Sequence, residues 1–114
     1  TWAINQATER DLRESGLAWT VARNGLYLDL DIIQIRNAAV SGVYTNPAGE
    51  GRCGYLSIEE LSVPFVNLAL DPALRGRTWN LTGESHTQAE LVKMANCVFG
   101  IDVRYEAISD AEME

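Results

Sequence analysis

Helical patterns alternate along the chain with short apolar runs of strand character, and this alternation constrains the fold more than any other feature. Residues 4–15 carry one apolar stripe among charged residues, and Ser15-Gly16 ends that helix before the apolar run at 17–22. Helices between successive strands favour parallel pairing, because parallel neighbours need a crossover connection. The sequence therefore predicts an α/β fold in which residues 17–22 and 78–82 pair as parallel strands.

The middle of the chain predicts a further sequence of turn, helix and strands. Arg23-Asn24-Gly25 is interpreted as the break after the first strand, and apolar residues then recur at helical spacing to about residue 40. Residues 43–45 and 52–56 are strand candidates on either side of a loop at 46–51.

Three Ser/Thr-x-x-Glu patterns, at residues 57–60, 87–90 and 109–112, predict helix starts. Pro64 lies inside the first of these helices, so that helix either bends or begins nearer Ser62. Residues 101–107 alternate apolar and polar side chains, which is typical of a half-buried strand. We expect residues 103–107 to pair with 43–45 in a second, small sheet.

Length and charge exclude several classes of protein. The 114 residues suit one domain. The sequence begins at Thr1 without an initiator methionine and both ends look truncated, so we expect a single partial domain spanning 1–114. The net charge is −7, and the nine basic residues are scattered and include only one lysine, Lys93. Neither nucleic acid nor a membrane surface is an expected partner, since both need clustered positive charge.

The two cysteines, Cys53 and Cys97, are expected to remain reduced thiols, and no apolar run approaches the ~18 residues of a membrane span. A soluble cytoplasmic protein is the expectation.

Side chains capable of catalysis form no recognised constellation. His86 is the only histidine, is placed in a loop, and has no marked nucleophile near it, so we expect neither a catalytic residue nor a metal site. Asp29 and Asp31 are interpreted as solvated surface. The loop Gly49-Glu50-Gly51 lacks the arrangement of a dinucleotide-binding turn, in which the Gly-x-Gly-x-x-Gly spacing stands after a strand and before a helix.

Arg23-Asn24-Gly25 is the strongest candidate for a binding site. It lies at the predicted carboxyl end of a parallel strand, which is where open α/β sheets place ligands. A turn that needs Asn and Gly for its backbone geometry explains the same residues without any ligand, and the pattern alone leaves both interpretations open.

The residues resemble a known family across nearly the whole chain. The segments that carry the likeness are 7–25 (ATERDLRESGLAWTVARNG), 42–44 (GVY), 48–52 (AGEGR), 77–85 (RTWNLTGES) and 87–91 (TQAEL). Their order resembles the NmrA-like atypical short-chain dehydrogenases/reductases, in particular the NAD(P)H-dependent quinone oxidoreductase branch.

The resemblance implies the C-terminal portion of that family: the later strands of a Rossmann-type parallel sheet with a small substrate-region sheet, and no nucleotide-binding half. It further implies NADP or NAD as cofactor of the parent protein, with none expected for this chain alone. By the same resemblance Asn24 and Gly25 would contact the cofactor, and Tyr27 would line the substrate pocket.

Several functions follow from the resemblance. The parent would transfer hydride from NAD(P)H to a quinone or another small electrophile, and this chain would supply pocket wall without being active by itself. The alternatives are a non-enzymatic NmrA-like protein that senses nucleotides or binds partners, and a stand-alone remnant. The expected macromolecular partner is a second copy of the chain or the N-terminal half of the family fold.

Overall fold

The computed structural model describes residues 2–113, which form four α-helices and seven strands. In chain order these are α1 (Trp2–Glu14), β1 (Val21–Asn24), β2 (Leu26–Tyr27), α2 (Leu28–Ala38), β3 (Val43–Asn46), β4 (Arg52–Leu56), α3 (Ile58–Leu70), β5 (Thr78–Leu81), β6 (Ser85–Thr87), α4 (Gln88–Phe99) and β7 (Arg104–Ala107). Short 3-10 turns span Pro72–Leu74 and Asp110–Met113.

The chain divides into two compact units. The first contains the chain up to Asn24 and residues 59–81, so it holds α1, β1, nearly all of α3, and β5. The second contains residues 25–58 and the chain from Thr82 onward.

The first unit contains the predicted parallel pair. β1 and β5 run parallel, with Val21 opposite Thr78 and Asn24 opposite Leu81. The pairing is confirmed, but the prediction that the strand occupies residues 17–22 and ends in a turn at Arg23 was wrong. Before Val21 the two segments are joined, among the residues described, by a single hydrogen bond, from the Gly76 N–H to the Trp19 carbonyl oxygen at 2.7 Å, and Gly76 lies in a turn with φ +72°. Arg23 and Asn24 are therefore the last two residues of the strand.

The second unit contains the predicted small sheet and one that was not predicted. β3 and β7 pair as expected, and they run parallel, with Val43 opposite Arg104. β4 lies in the middle of a three-stranded sheet, parallel to β2 and antiparallel to β6. The helix expected to begin near Leu26 starts at Leu28, because Leu26–Tyr27 pairs with β4 instead.

Helix ends follow the predicted capping chemistry. The Thr87 hydroxyl accepts from the backbone N–H of Glu90 at 3.1 Å, and the Glu90 carboxylate accepts from the N–H of Thr87 at 3.1 Å. Gly100 ends α4 with φ +63°. α3 starts at Ile58 and continues through Pro64, so a start near Ser62 was wrong.

The principal core lies in the second unit. Its buried side chains come from α2, β3, β4, α4 and the residue before β7: Ile35, Tyr44, Tyr55, Leu91, Val92, Ala95 and Val103. Ile35 is completely inaccessible to solvent. Among the residues described, no helix combines the length and the apolar character needed to cross a bilayer.

Candidate functional site

Asn24 occupies the carboxyl end of β1, in the first unit. Its side chain is half-buried, and it lines a cavity of about 370 Å³ between α1 and β1. The cavity wall is formed by Trp2, Asn5, Thr8 and Glu9 of α1 and by all four residues of β1. An amide at this position can both donate and accept hydrogen bonds, which suits a ligand carrying a carboxamide or carbonyl group.

Arg23 is tied to α1 by a two-point ion pair. Its Nε donates to Glu9 Oε1 at 2.9 Å, and its Nη2 donates to Glu9 Oε2 at 2.7 Å. Arg13 adds a third contact to the same carboxylate at 3.0 Å. The hydrogen bond from Arg23 holds the pKa of Glu9 below its usual range. The planar two-point geometry fixes the Arg23 side chain against α1, one residue before Asn24.

Gly25 begins the second unit, and its backbone lies against two other segments. A Cβ built on Gly25 would lie 2.7 Å from the Gly54 carbonyl oxygen and 2.7 Å from Thr82 Oγ1. A Cβ on Gly54 would overlap Thr82 Oγ1, and one on Gly83 would overlap the Tyr55 carbonyl oxygen. At Gly25 and Gly83 the neighbouring backbone leaves no room for a side chain, whereas at Gly54 the Thr82 side chain fills that space.

Tyr27 is half-buried and links β2 to α2. It pairs with Leu56 of β4, and its extended backbone forms the N-cap of α2. The next residues, Asp29 and Asp31, were interpreted as solvated surface, and this was wrong. Asp29 accepts from the backbone N–H of Ile58 at 2.8 Å, so it satisfies the first N–H of α3. Asp31 accepts from Gln88 Nε2 at 3.3 Å.

A polar network in the interior of the second unit was not predicted. Gln88, 6% exposed, donates to the Tyr55 hydroxyl and to Asp31, and accepts from Asn46 Nδ2 at 3.0 Å. Tyr105 donates to Asn46 Oδ1 at 2.8 Å. Burial, followed by the nearby Asp31 carboxylate, raises the pKa of Tyr55 well above its usual range. Tyr55 therefore keeps its proton near neutral pH and is a neutral hydrogen-bonding group there.

His86 lies in strand β6, so its placement in a loop was wrong. It pairs with Cys53 of β4 and faces Glu84 at 3.4 Å and Glu90 at 3.5 Å. Glu90 is also bound at two points by Arg52, and this contact holds the pKa of Glu90 below its usual range. Cys53 is exposed, as is Cys97. Within residues 2–113, no three His, Cys, Asp or Glu side chains are arranged to hold a metal ion.

The predicted site residues thus fall on either side of the division between the units. Asn24 ends the first unit, whereas Gly25 and Tyr27 belong to the second. Sequence patterns missed Glu9, Gln88 and Thr82. Glu9 could have been suspected from its place on an amphipathic helix that precedes a strand containing Arg23. Nothing in the sequence marks the other two.

Comparison with known proteins identifies relatives of this chain. No protein-family model matches it. It is 24% identical to NAD(P)H azoreductase of Xenophilus azovorans, covering 89% of the chain and 36% of that protein. It is 26% identical to quinone oxidoreductase 2 of Escherichia coli K12, covering 92% and 37%. An NmrA-like family oxidoreductase of Aspergillus flavus is 32% identical, with 87% and 33% covered.

Solved structures share the fold. The crystal structure of the NADPH-dependent quinone oxidoreductase of E. coli in complex with NADPH matches with a TM-score of 0.85 at 24% identity, covering 92% of this chain and 38% of that one. The triphenylmethane reductase of Citrobacter sp., in complex with NADP(H), matches with a TM-score of 0.80 at 27% identity, covering 94% and 38%. The α/β class and the Rossmann-type relationship are confirmed.

The chain spans 33 to 37% of the length of these curated relatives. The family resemblance in the sequence is confirmed, because the homologues of this chain include an NAD(P)H azoreductase, a quinone oxidoreductase and an NmrA-like family oxidoreductase.

Proposed function

We propose that this chain forms the C-terminal, substrate-side portion of a cytoplasmic NAD(P)H-dependent reductase of quinones or similar small electrophiles, and that it is inactive by itself. The observation that carries the proposal is Asn24, which ends a parallel strand at the edge where α/β sheets place their ligands. The names of the relatives, an azoreductase and a quinone oxidoreductase, support planar conjugated electrophiles as the substrate class.

The residues present suit one end of a dinucleotide. The Asn24 amide matches the hydrogen-bonding pattern of a nicotinamide carboxamide, and the backbone of Gly25, the next residue, would contact the same end of the cofactor. Tyr27 would line the substrate side of the pocket. When bound, NAD(P)H supplies the hydride. The chain contributes only orientation of the reacting groups.

Binding of the pyrophosphate needs a different element. In Rossmann folds the pyrophosphate is bound by a glycine-rich turn that leads from a strand into a helix N-terminus. The one Gly-x-Gly-x-x-Gly run of the 114 residues, Gly49–Gly54, leads from a loop into strand β4 and not from a strand into a helix, so it does not form such a turn. Contacts from Asn24 and its neighbours alone would give about 3 to 4 kcal/mol, which corresponds to millimolar binding or weaker. This estimate supports inactivity of the isolated chain.

A chimera tests the proposal. The segment of E. coli quinone oxidoreductase 2 that matches this chain is replaced by the chain, and NADPH oxidation is followed with a benzoquinone as acceptor. We expect quinone-dependent turnover, and a fall in kcat/KM of about tenfold or more on Asn24→Ala, because one positioning hydrogen bond is worth about 1.4 kcal/mol or more.

Asn80→Ala is the matched control, since Asn80 is an exposed amide on β5 of the same unit. A folded chimera that binds NADPH but reduces no quinone would contradict the proposal. Equal kcat/KM for Asn24→Ala and Asn80→Ala would remove Asn24 from the site.

The first unit also favours association with a partner. Within the described residues, β1 pairs only with β5, which leaves its other edge open. Trp2 and Ile4 of α1 are each 68% exposed. Open strand edges next to apolar surface recruit a further strand. The proposed occupant is a second copy of the chain or, in the parent protein, the N-terminal half of the sheet. Light scattering across a concentration series tests the first option, and a monomer at high concentration would count against it.

A further inference from the structure

Thr82 lies against two of the three glycines described above, although its side chain is exposed to solvent. Its Oγ1 occupies the space that a Cβ would need on Gly54 and lies 2.7 Å from the position of a Cβ on Gly25. Its own Cβ lies 3.2 Å from both of those positions. The Thr82 side chain therefore fills the gap that the absence of side chains at Gly25 and Gly54 creates.

The same region fixes the start of β2. Leu26 and Tyr27 pair with Tyr55 and Leu56 of β4 over only two residues. A two-residue ladder is weak alone, because most of its backbone hydrogen bonds lie at an end. Beside it, the Tyr55 N–H donates to the Glu84 carbonyl oxygen at 2.9 Å, so the segment after Thr82 is anchored to β4. Thr82 is thus held against Gly25 from a fixed backbone.

We propose that Thr82 is a positioning residue for the segment Gly25–Tyr27. Its hydroxyl sets how closely the Gly25 backbone approaches β4, and so sets the backbone position of the residues assigned above to cofactor and substrate. The assignment of a ligand to that segment rests on the proposed function. The positioning itself is a property of this chain and can be measured without a ligand.

Amide hydrogen exchange measured by NMR on the whole chain tests the positioning. Thr82→Ala removes the group that touches Gly25, and we expect exchange at Leu26 and Tyr27 to accelerate about tenfold or more. Thr82→Ser keeps the hydroxyl, so exchange at Leu26 and Tyr27 returns to the wild-type rate. Because Thr82 is exposed, these variants are expected to fold, and unchanged exchange in β3 and β7 verifies this.

Thr45→Ala is the matched control, because Thr45 is an exposed threonine on β3 of the same unit. Unchanged exchange at Leu26 and Tyr27 in Thr82→Ala overturns the proposal. Exchange at Leu26 and Tyr27 that is as fast in Thr82→Ser as in Thr82→Ala also overturns the proposal, because the bulk of the side chain and not its hydroxyl would then be responsible.

A second arm separates this inference from the proposed function. Millimolar NADH is added to the 15N-labelled wild-type chain, and shifts at Asn24 and Gly25 are followed. NADH-induced chemical-shift changes in the wild type that become smaller in Thr82→Ala support both the positioning role of Thr82 and the ligand assignment. Faster exchange in Thr82→Ala with no NADH-induced shifts in the wild type means that the positioning is correct and the ligand assignment fails.

Discussion

Replacing Gln88 by leucine removes the centre of the buried polar network while leaving the volume of the side chain nearly unchanged. The Tyr55 hydroxyl loses a donor, Asn46 Nδ2 loses its acceptor, and Asp31 loses one hydrogen bond. Asp31 is half-buried, so water can replace its lost partner. Tyr55 is only 5% exposed, so its hydroxyl bears most of the cost.

The structure sets the size of the effect. A buried polar group left without a partner costs about 1 to 3 kcal/mol. Tyr55 keeps a contact with Asp31, and Asn46 keeps its hydrogen bond from Tyr105, so neither side chain loses all of its hydrogen-bond partners. The apolar leucine also offsets part of the loss. We therefore expect Gln88→Leu to lower the free energy of unfolding by about 2 kcal/mol, which is a large share of a typical total of about 5 to 15 kcal/mol.

The distribution of aromatic residues provides the assay. All four tyrosines lie in the second unit and all three tryptophans in the first. Urea unfolding followed by the near-UV circular dichroism of tyrosine reports on the network, and the transition midpoint should fall with an unchanged slope. Gln6→Leu, at an exposed position of α1, is the control and should change stability by less than about 0.5 kcal/mol. A Gln88→Leu variant as stable as wild type would refute the reasoning.

Three further predictions follow from the contacts. Gly54→Ala places a Cβ where Thr82 Oγ1 lies, so urea titration should show a loss of about 1 to 3 kcal/mol from overpacking. Arg23 holds the pKa of Glu9 low, so its stabilising contribution is present above the usual glutamate range and is lost as the pH falls below about 4. Glu9→Gln should therefore flatten the dependence of Tm on pH in acid, and an unchanged acid slope would contradict this. Burial raises the pKa of Tyr55, so the stability it contributes is present below about pH 10 and lost above it. Tyr55→Phe should reduce the alkaline fall in Tm, whereas an identical fall would show that Tyr55 is not its source.

Local sequence signals were sufficient where a segment's own residues decide its structure. The capping box at Thr87 and the alternation through Val103 each depend on neighbours in sequence, and both were predicted. The parallel pairing of β1 with β5 followed from the alternation of helices and strands. Ala107 departs from the pattern because it is exposed at the end of β7.

Features that depend on distant partners were not predictable. β2 has two residues and β6 has three, and both exist because β4 lies between them. A glutamine at the first position of a helix is usually solvated, so nothing marked Gln88 as buried. For the same reason Asp31 was taken for surface, although its partners are 24 and 57 residues away in sequence.

Titration of the isolated chain with NADPH and NADH in a calorimeter tests the central claim most directly. We assign this chain the nicotinamide and substrate side of the site, without the turn that binds the pyrophosphate. We therefore expect no saturable binding below about millimolar concentration and no reduction of quinones. Micromolar binding that Asn24→Ala abolishes would contradict it, because the chain would then hold a complete cofactor site of its own.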